Sequence, residues 1–224
     1  MRKLFLPVFA LLTAGVLLAG CGTPPPLVSN DYLNDTSLVD SDETCEAPCY
    51  QDIVPGTTTF ADAVAKLQNN SLFKDVQSQD SPPQAVWSTQ GGTQCCNLAA
   101  NPDTGLVEVV LIRTAPVMTL LEVIEKYGEP EYVVPQEYTP DEVALGLLYP
   151  EDGFLAYVTP GGTSASMADE NPVVVVLYFN PDQSQELIDG ATLFAWQGLG
   201  AFSAYQNATP IVTPKPTLTP TPGG

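Results

Sequence analysis

One stretch occurs twice in this chain, and that restricts how it can fold more than any other feature. Thr59-Phe60-Ala61-Asp62-Ala63-Val64-Ala65-Lys66-Leu67 lies over Thr119-Leu120-Leu121-Glu122-Val123-Ile124-Glu125-Lys126-Tyr127, sixty residues later and without a gap. Self-similarity at a fixed period marks a repeated structural unit. Thr59 and Thr119 are placed to N-cap a helix, with Asp62 and Glu122 three residues on; the second pair spells a capping box. Both acids sit at the positive end of their helix dipole. Phe60, Val64 and Leu67 form an apolar stripe, repeated by Leu120, Ile124 and Tyr127 and widened by Leu121 and Val123. Pro55-Gly56 turns the chain into the first helix, and Gly128 and Pro130 stop the second.

Short strand-like runs follow each helix. In the first unit they are 85–89, 95–99 and 106–113, the last two joined by the turn Asn101-Pro102-Asp103-Thr104-Gly105. In the second they are 131–134, 144–149, 154–159 and 173–179, with a turn at Pro150-Glu151-Asp152-Gly153 and a loop over 161–171. Val173-Val174-Val175-Val176-Leu177 is apolar at both parities, which predicts a central strand. The expected fold class is α+β: two tandem helix-plus-antiparallel-strand repeats, 45–115 and 116–208, forming a layered sheet covered by helices on one face. The second repeat carries a C-terminal aromatic extension.

The N-terminus speaks to location. Arg2 and Lys3 precede an apolar run from Leu4 to Leu18, the pattern of a secretory signal over residues 1–20. The run falls short of the roughly 20 apolar residues of a mature span. It ends in Leu18-Ala19-Gly20-Cys21, which resembles the lipobox of bacterial lipoproteins. The resemblance implies cleavage before Cys21, diacylglycerol on its sulfur and acylation of the freed amine, as with palmitate. Such chains anchor a protein stably, so the expected location is the outer face of the cell membrane or the outer membrane.

Composition narrows the function. Net charge is −19, and loss of Arg2 and Lys3 leaves −21 (−19 minus 2), with Lys66, Lys74, Arg113, Lys126 and Lys215 as the remaining cations. Nucleic-acid binding needs clustered cations, so no nucleic-acid partner is expected. Lying flat on anionic lipid is likewise disfavoured, and the body is expected to stand off the membrane on a tether. Residues 21–44, with prolines at 24–26 and acids at 31, 35, 40, 42 and 43, read as that flexible linker. The acids lack the glycine and terminal glutamate of an EF-hand. Residues 209–224 alternate Thr and Pro and read as a disordered, extended tail. The chain has no histidine, which excludes Ser-His-Asp and Cys-His catalysis and every histidine-containing zinc site.

Beyond Cys21, four cysteines remain: Cys45, Cys49, Cys95 and Cys96. In an exported chain an even number predicts disulfides. Three pairings exist. Cys45–Cys49 is favoured, leaving Cys95 and Cys96 as a vicinal bridge or as thiols. The crossed pairings need a bend, because neighbours in a strand point to opposite faces. Four thiolates suit zinc and a Cys-X-X-Cys suits redox work, but exported cysteines oxidise and the spacing here is one residue longer.

The order of elements, the lipobox and the helix ending Tyr127-Gly128-Glu129-Pro130 together resemble the tandem β-lactamase-inhibitor-protein-like architecture, shared with small SmpA/OmlA-type lipoproteins of outer-membrane assembly. The segment from Cys45 to Thr57 resembles a motif of exported lipoproteins. These likenesses imply architecture and carry no functional residue.

For function, the expectation is a non-catalytic lipoprotein that binds a protein of the envelope or cell surface, with no cofactor and no metal. Trp196, Phe202 and Tyr205 are the candidate partner surface. They equally suit an alternative, a glycan or small-molecule receptor, by stacking. Glycosidase chemistry needs two acids across a cleft, whereas carboxylate pairs such as Glu151/Asp152 and Asp169/Glu170 fall in predicted turns.

Overall fold

A computed structural model of the chain describes residues 25–40 and 45–213. Leu18 to Cys21, residues 41–44 and the tail from 214 lie outside the described residues.

The dominant element is one antiparallel sheet. Its strands are β1 (Phe73–Asp80), β2 (Pro83–Thr89), β3 (Gln94–Ala100), β4 (Val107–Arg113), β5 (Tyr132–Thr139), β6 (Glu142–Tyr149), β7 (Phe154–Gly161) and β9 (Val173–Phe179). Their order across the sheet is β1-β2-β3-β4-β9-β7-β6-β5. The first four form one half in chain order, and the seam runs where Val109–Arg113 pair with Val175–Phe179. A second, two-stranded ribbon pairs β8 (Ser166–Met167) with β10 (Gly200–Ala201). β1 is the strand that periodicity missed: its sequence is polar and its outer residues are exposed, as suits a sheet edge.

Five short α-helices occur among the described residues: α1 (Ser37–Asp40), α2 (Phe60–Asn69), α3 (Leu120–Tyr127), α4 (Ser184–Gly190) and α5 (Phe202–Gln206). The expected caps form. Thr59 Oγ1 accepts the Asp62 amide at 3.2 Å. Thr119 Oγ1 accepts the Glu122 amide at 3.3 Å while the Thr119 amide donates to Glu122 Oε2 at 2.7 Å. Ala63 and Leu67, then Leu120 and Val123, are the buried positions, and the expected stripe residues Phe60, Val64, Ile124 and Tyr127 pack against the same core; Leu121 alone of the expected apolar positions is left exposed. Gly56, at φ +81°, admits no side chain: a Cβ there would meet Asn180 Cγ at 2.6 Å.

The α+β layer with helices covering one face is overturned. The protein is mostly β. Eight strands at about 4.8 Å spacing span about 34 Å, whereas helices of ten and eight residues are only about 15 and 12 Å long. Two such helices cannot form a layer. They plug a core built mainly by the sheet itself, in which Trp87, Leu98, Ile112, Val176 and Ala156 point to the same side. The helices also do not share one face. Leu187 and Ile188 of α4 pack with Leu148 and Phe179, and Leu148 alternates with core-facing Leu147 and Tyr149.

Residues 25–40 are packed, unlike a free linker. Leu33 bridges to Thr114: its amide donates to Arg113 O at 3.2 Å and its carbonyl accepts from Ala115 at 2.8 Å. Tyr32 and Leu38 are buried in the main core, and the Tyr127 hydroxyl donates to Leu38 O at 2.9 Å. At the other terminus Val212 pairs with Leu193, so the first residues of the Thr/Pro tail are seated on the body.

Candidate functional site

The strands at the centre of the sheet are apolar at both parities. In β4, Val110 and Ile112 face the core while Val109 and Leu111 face away; in β7, Ala156 and Val158 face in while Leu155 and Tyr157 face out. Two outward clusters are covered. At one end α4, Leu193 and Val212 lie over Phe179 and Leu148. At the other, Leu27 lies over Ala144, Tyr157 and Val174, and the Tyr157 ring sits where Gly146 has no side chain, 3.0 Å from the missing Cβ.

Between these clusters runs a registered row. Val86 pairs with Asn97, Asn97 with Leu111, Leu111 with Leu177, Leu177 with Leu155, and Leu155 with Leu148. Val86, Leu111, Leu177 and Leu155 are half-buried; Leu155 packs against both covered clusters, whereas Val86, Leu111 and Leu177 belong to no packed cluster among the described residues. The apolar part of the row outside those clusters is the adjacent pair Leu111 and Leu177, with Asn97 separating them from Val86; apolar area left open on a sheet face marks an interaction surface.

The cysteines are placed by the same sheet. Cys45–Cys49 is a disulfide with its Cα atoms 5.0 Å apart, and Cys95–Cys96 is a vicinal disulfide. The vicinal pair sits at a β-bulge: Trp87 pairs with Cys96 but Ser88 with Gln94, leaving Cys95 as the extra residue. Both cysteines thereby enter the core. Asp52 Oδ and the sulfurs of Cys45 and Cys49 are grouped closely enough for a metal, but the two sulfurs are bonded to each other and are not thiolate ligands.

Two of the three terminal aromatics are buried and the third, Trp196, is half-buried against the core. Phe202 and Tyr205 are 0% and 1% exposed, Trp196 stands 5.9 Å from Tyr205, and the Tyr205 hydroxyl accepts the Gln197 amide at 3.3 Å. They close the edge of the core because burying rings stabilises more than stacking on solvent. The cleft beside them, about 550 Å³, is lined by Val134, Pro135, Glu137 and Phe194 and holds no ring of the trio. Glu151 and Asp152 sit in the β6–β7 turn; the pKa of Asp152 is raised by burial and then by Glu151 and Glu46. Asp169 and Glu170 are exposed in the loop before β9. The two pairs lie at opposite ends of the sheet.

The chain matches no family model, no curated protein and no solved structure. What the site can do therefore rests on its own chemistry. The strip offers apolar area and no converging acid, thiolate or cation.

A buried polar cluster, invisible to sequence reading, pins the N-terminal segment. The Asp35 carboxylate accepts the Ser37 amide at 3.1 Å. Its pKa is raised, chiefly by burial. The Tyr50 hydroxyl, 1% exposed as a residue, has no hydrogen-bond partner of ordinary geometry among the described residues. Burial, then the Asp35 charge, pushes its pKa well up. The Tyr178 ring stacks on Tyr50 with centroids 5.7 Å apart, and no spacing rule links residues 35, 50 and 178, which only the fold brings together.

Proposed function

We propose that this chain is an exported lipoprotein, anchored through Cys21 to the outer face of the cell membrane or to the outer membrane, that works without catalysis as a protein-binding or envelope-assembly module. One observation carries the binding role: Leu111 and Leu177, adjacent in register and flanked through Asn97 by Val86, lie outside the packed clusters on the sheet face away from α2 and α3. Covering them with a partner removes apolar area from water, each Å² contributing about 25 cal/mol. The acidic body steers basic partners toward them. Two supports are independent of the row. The lipobox residues Leu18, Ala19, Gly20 and Cys21 provide the anchor, and both disulfides fit an oxidising compartment.

The test is photo-cross-linking in the native envelope. Benzoylphenylalanine replacing Leu111 or Leu177 is expected to capture one defined protein, and the same label at Thr104, in the exposed β3–β4 turn, is not. Leu111→Asp is expected to abolish capture from position 177. Absence of a specific adduct from both strip positions overturns the binding role.

A further inference from the structure

The sheet has two distinct ends. The first holds the start of β6 at Glu142, the end of β7 at Gly161, the start of β9 at Val173, the end of β4 at Arg113 and the start of β1 at Phe73. The second holds the turns at 81–82, 101–105 and 150–153, about 25 Å away along strands of seven or eight residues. The N-terminal segment is fastened at the first end. The Leu27 amide donates to Glu142 Oε1 at 3.2 Å, the Tyr32 hydroxyl donates to Pro26 O at 2.8 Å, and Arg113 lies 5.7 Å over the Tyr32 ring.

The covalent chain then sets a limit. Four residue steps separate Cys21 from Pro25, a reach of about 14 Å at full extension. That is shorter than the sheet itself, so an anchored Cys21 cannot let the body turn its second end to the bilayer. An independent observation agrees. Seven large apolar side chains are exposed among the described residues. Five of them, Val28, Leu72, Val117, Leu121 and Tyr138, lie at the first end: Leu72 precedes β1, Tyr138 closes β5, Met118 O next to Val117 accepts the Val173 amide, and Leu121 donates its amide to Asp169 O. Apolar and Tyr side chains are what a membrane–water interface accepts.

We infer that the first end of the sheet, rimmed by Val28, Leu72, Val117, Leu121 and Tyr138, rests against the phospholipid bilayer. This rests on the lipidation of Cys21 proposed above, and it replaces the expectation of a body standing off on a long tether. The opposite end and the apolar row along the open face are then presented outward. Asp31, Asp141, Asp169 and Glu170 share the bilayer-facing end, so the contact suits zwitterionic headgroups, and anionic lipid loosens it while leaving the anchor in place.

The experiment separates geometry from biology. The mature chain beginning at Cys21 is coupled through that thiol to maleimide-bearing phosphatidylcholine vesicles, the other four cysteines being held in disulfides. A donor dye is installed through a non-natural residue at Thr139 or at Thr104, with an acceptor dye on the lipid headgroups. Energy transfer from 139 is expected to exceed that from 104 several-fold. Equal transfer, or more from 104, overturns the orientation. Separately, the mass of the protein from its native envelope is expected to carry diacylglycerol on Cys21. An unmodified Cys21 overturns the anchored reading and with it the membrane-facing assignment, whatever the coupled protein shows.

Discussion

Asp35 illustrates how single side chains in this protein answer to their surroundings. Its carboxylate is partly removed from water and keeps its proton more tightly than in the unfolded chain. Between the unfolded value and the raised folded one, the folded state binds more protons. Stability therefore falls as pH rises through that window and stays lowered above it. Asp35→Asn removes the penalty and keeps an oxygen to accept the Ser37 amide. Its melting temperature is expected to exceed that of the parent at neutral pH, with the gap closing in acid below the ordinary carboxylate range. A gap independent of pH would show that Asp35 is not the group responsible. The residue was legible in the sequence only as one acid of a presumed linker. Burial beside Tyr50 comes from elements far apart along the chain.

At the scale of elements, α2 and α3 are the best-read parts, while the short helices α1, α4 and α5 were not expected. Thr119 and Glu122 satisfy each other's backbone amides within one turn, so their effect is local. Thr119→Ala is expected to cost about 1 kcal/mol, read from chemical denaturation. Glu122→Ala adds little more in the double variant, because the two bonds serve one cap. A full additive loss would mean the residues act separately. Most strands were equally legible from alternation and turn residues, because each such signal needs only its neighbours. β1 was not: a polar edge strand buries one side chain, Phe73, and shows no period. The helix stripes meet the core as spaced, except that Leu121 is exposed, since how wide a face a helix buries depends on where the sheet lies.

The whole molecule is held by its seam. β4 and β9 are continuous in hydrogen bonding, so the two halves of the sheet share one core. Neither disulfide ties distant parts together, as each closes a span of four residues or fewer. Calorimetry is therefore expected to show one cooperative transition, lowered by only a few degrees and still single when both bonds are reduced. Two resolved transitions would show that the halves are separate folding units. Local rules determined the caps, the turns and most of the strands, and counting cysteines predicted the disulfides, because each depends on contacts within a few residues. Only the tertiary structure decided that the helices are too few and too short to form a layer, that Phe202 and Tyr205 are buried, and that Leu111 and Leu177 lie outside the packed clusters among the described residues. Those outcomes depend on which distant surfaces meet, and a list of residues in order does not contain that geometry.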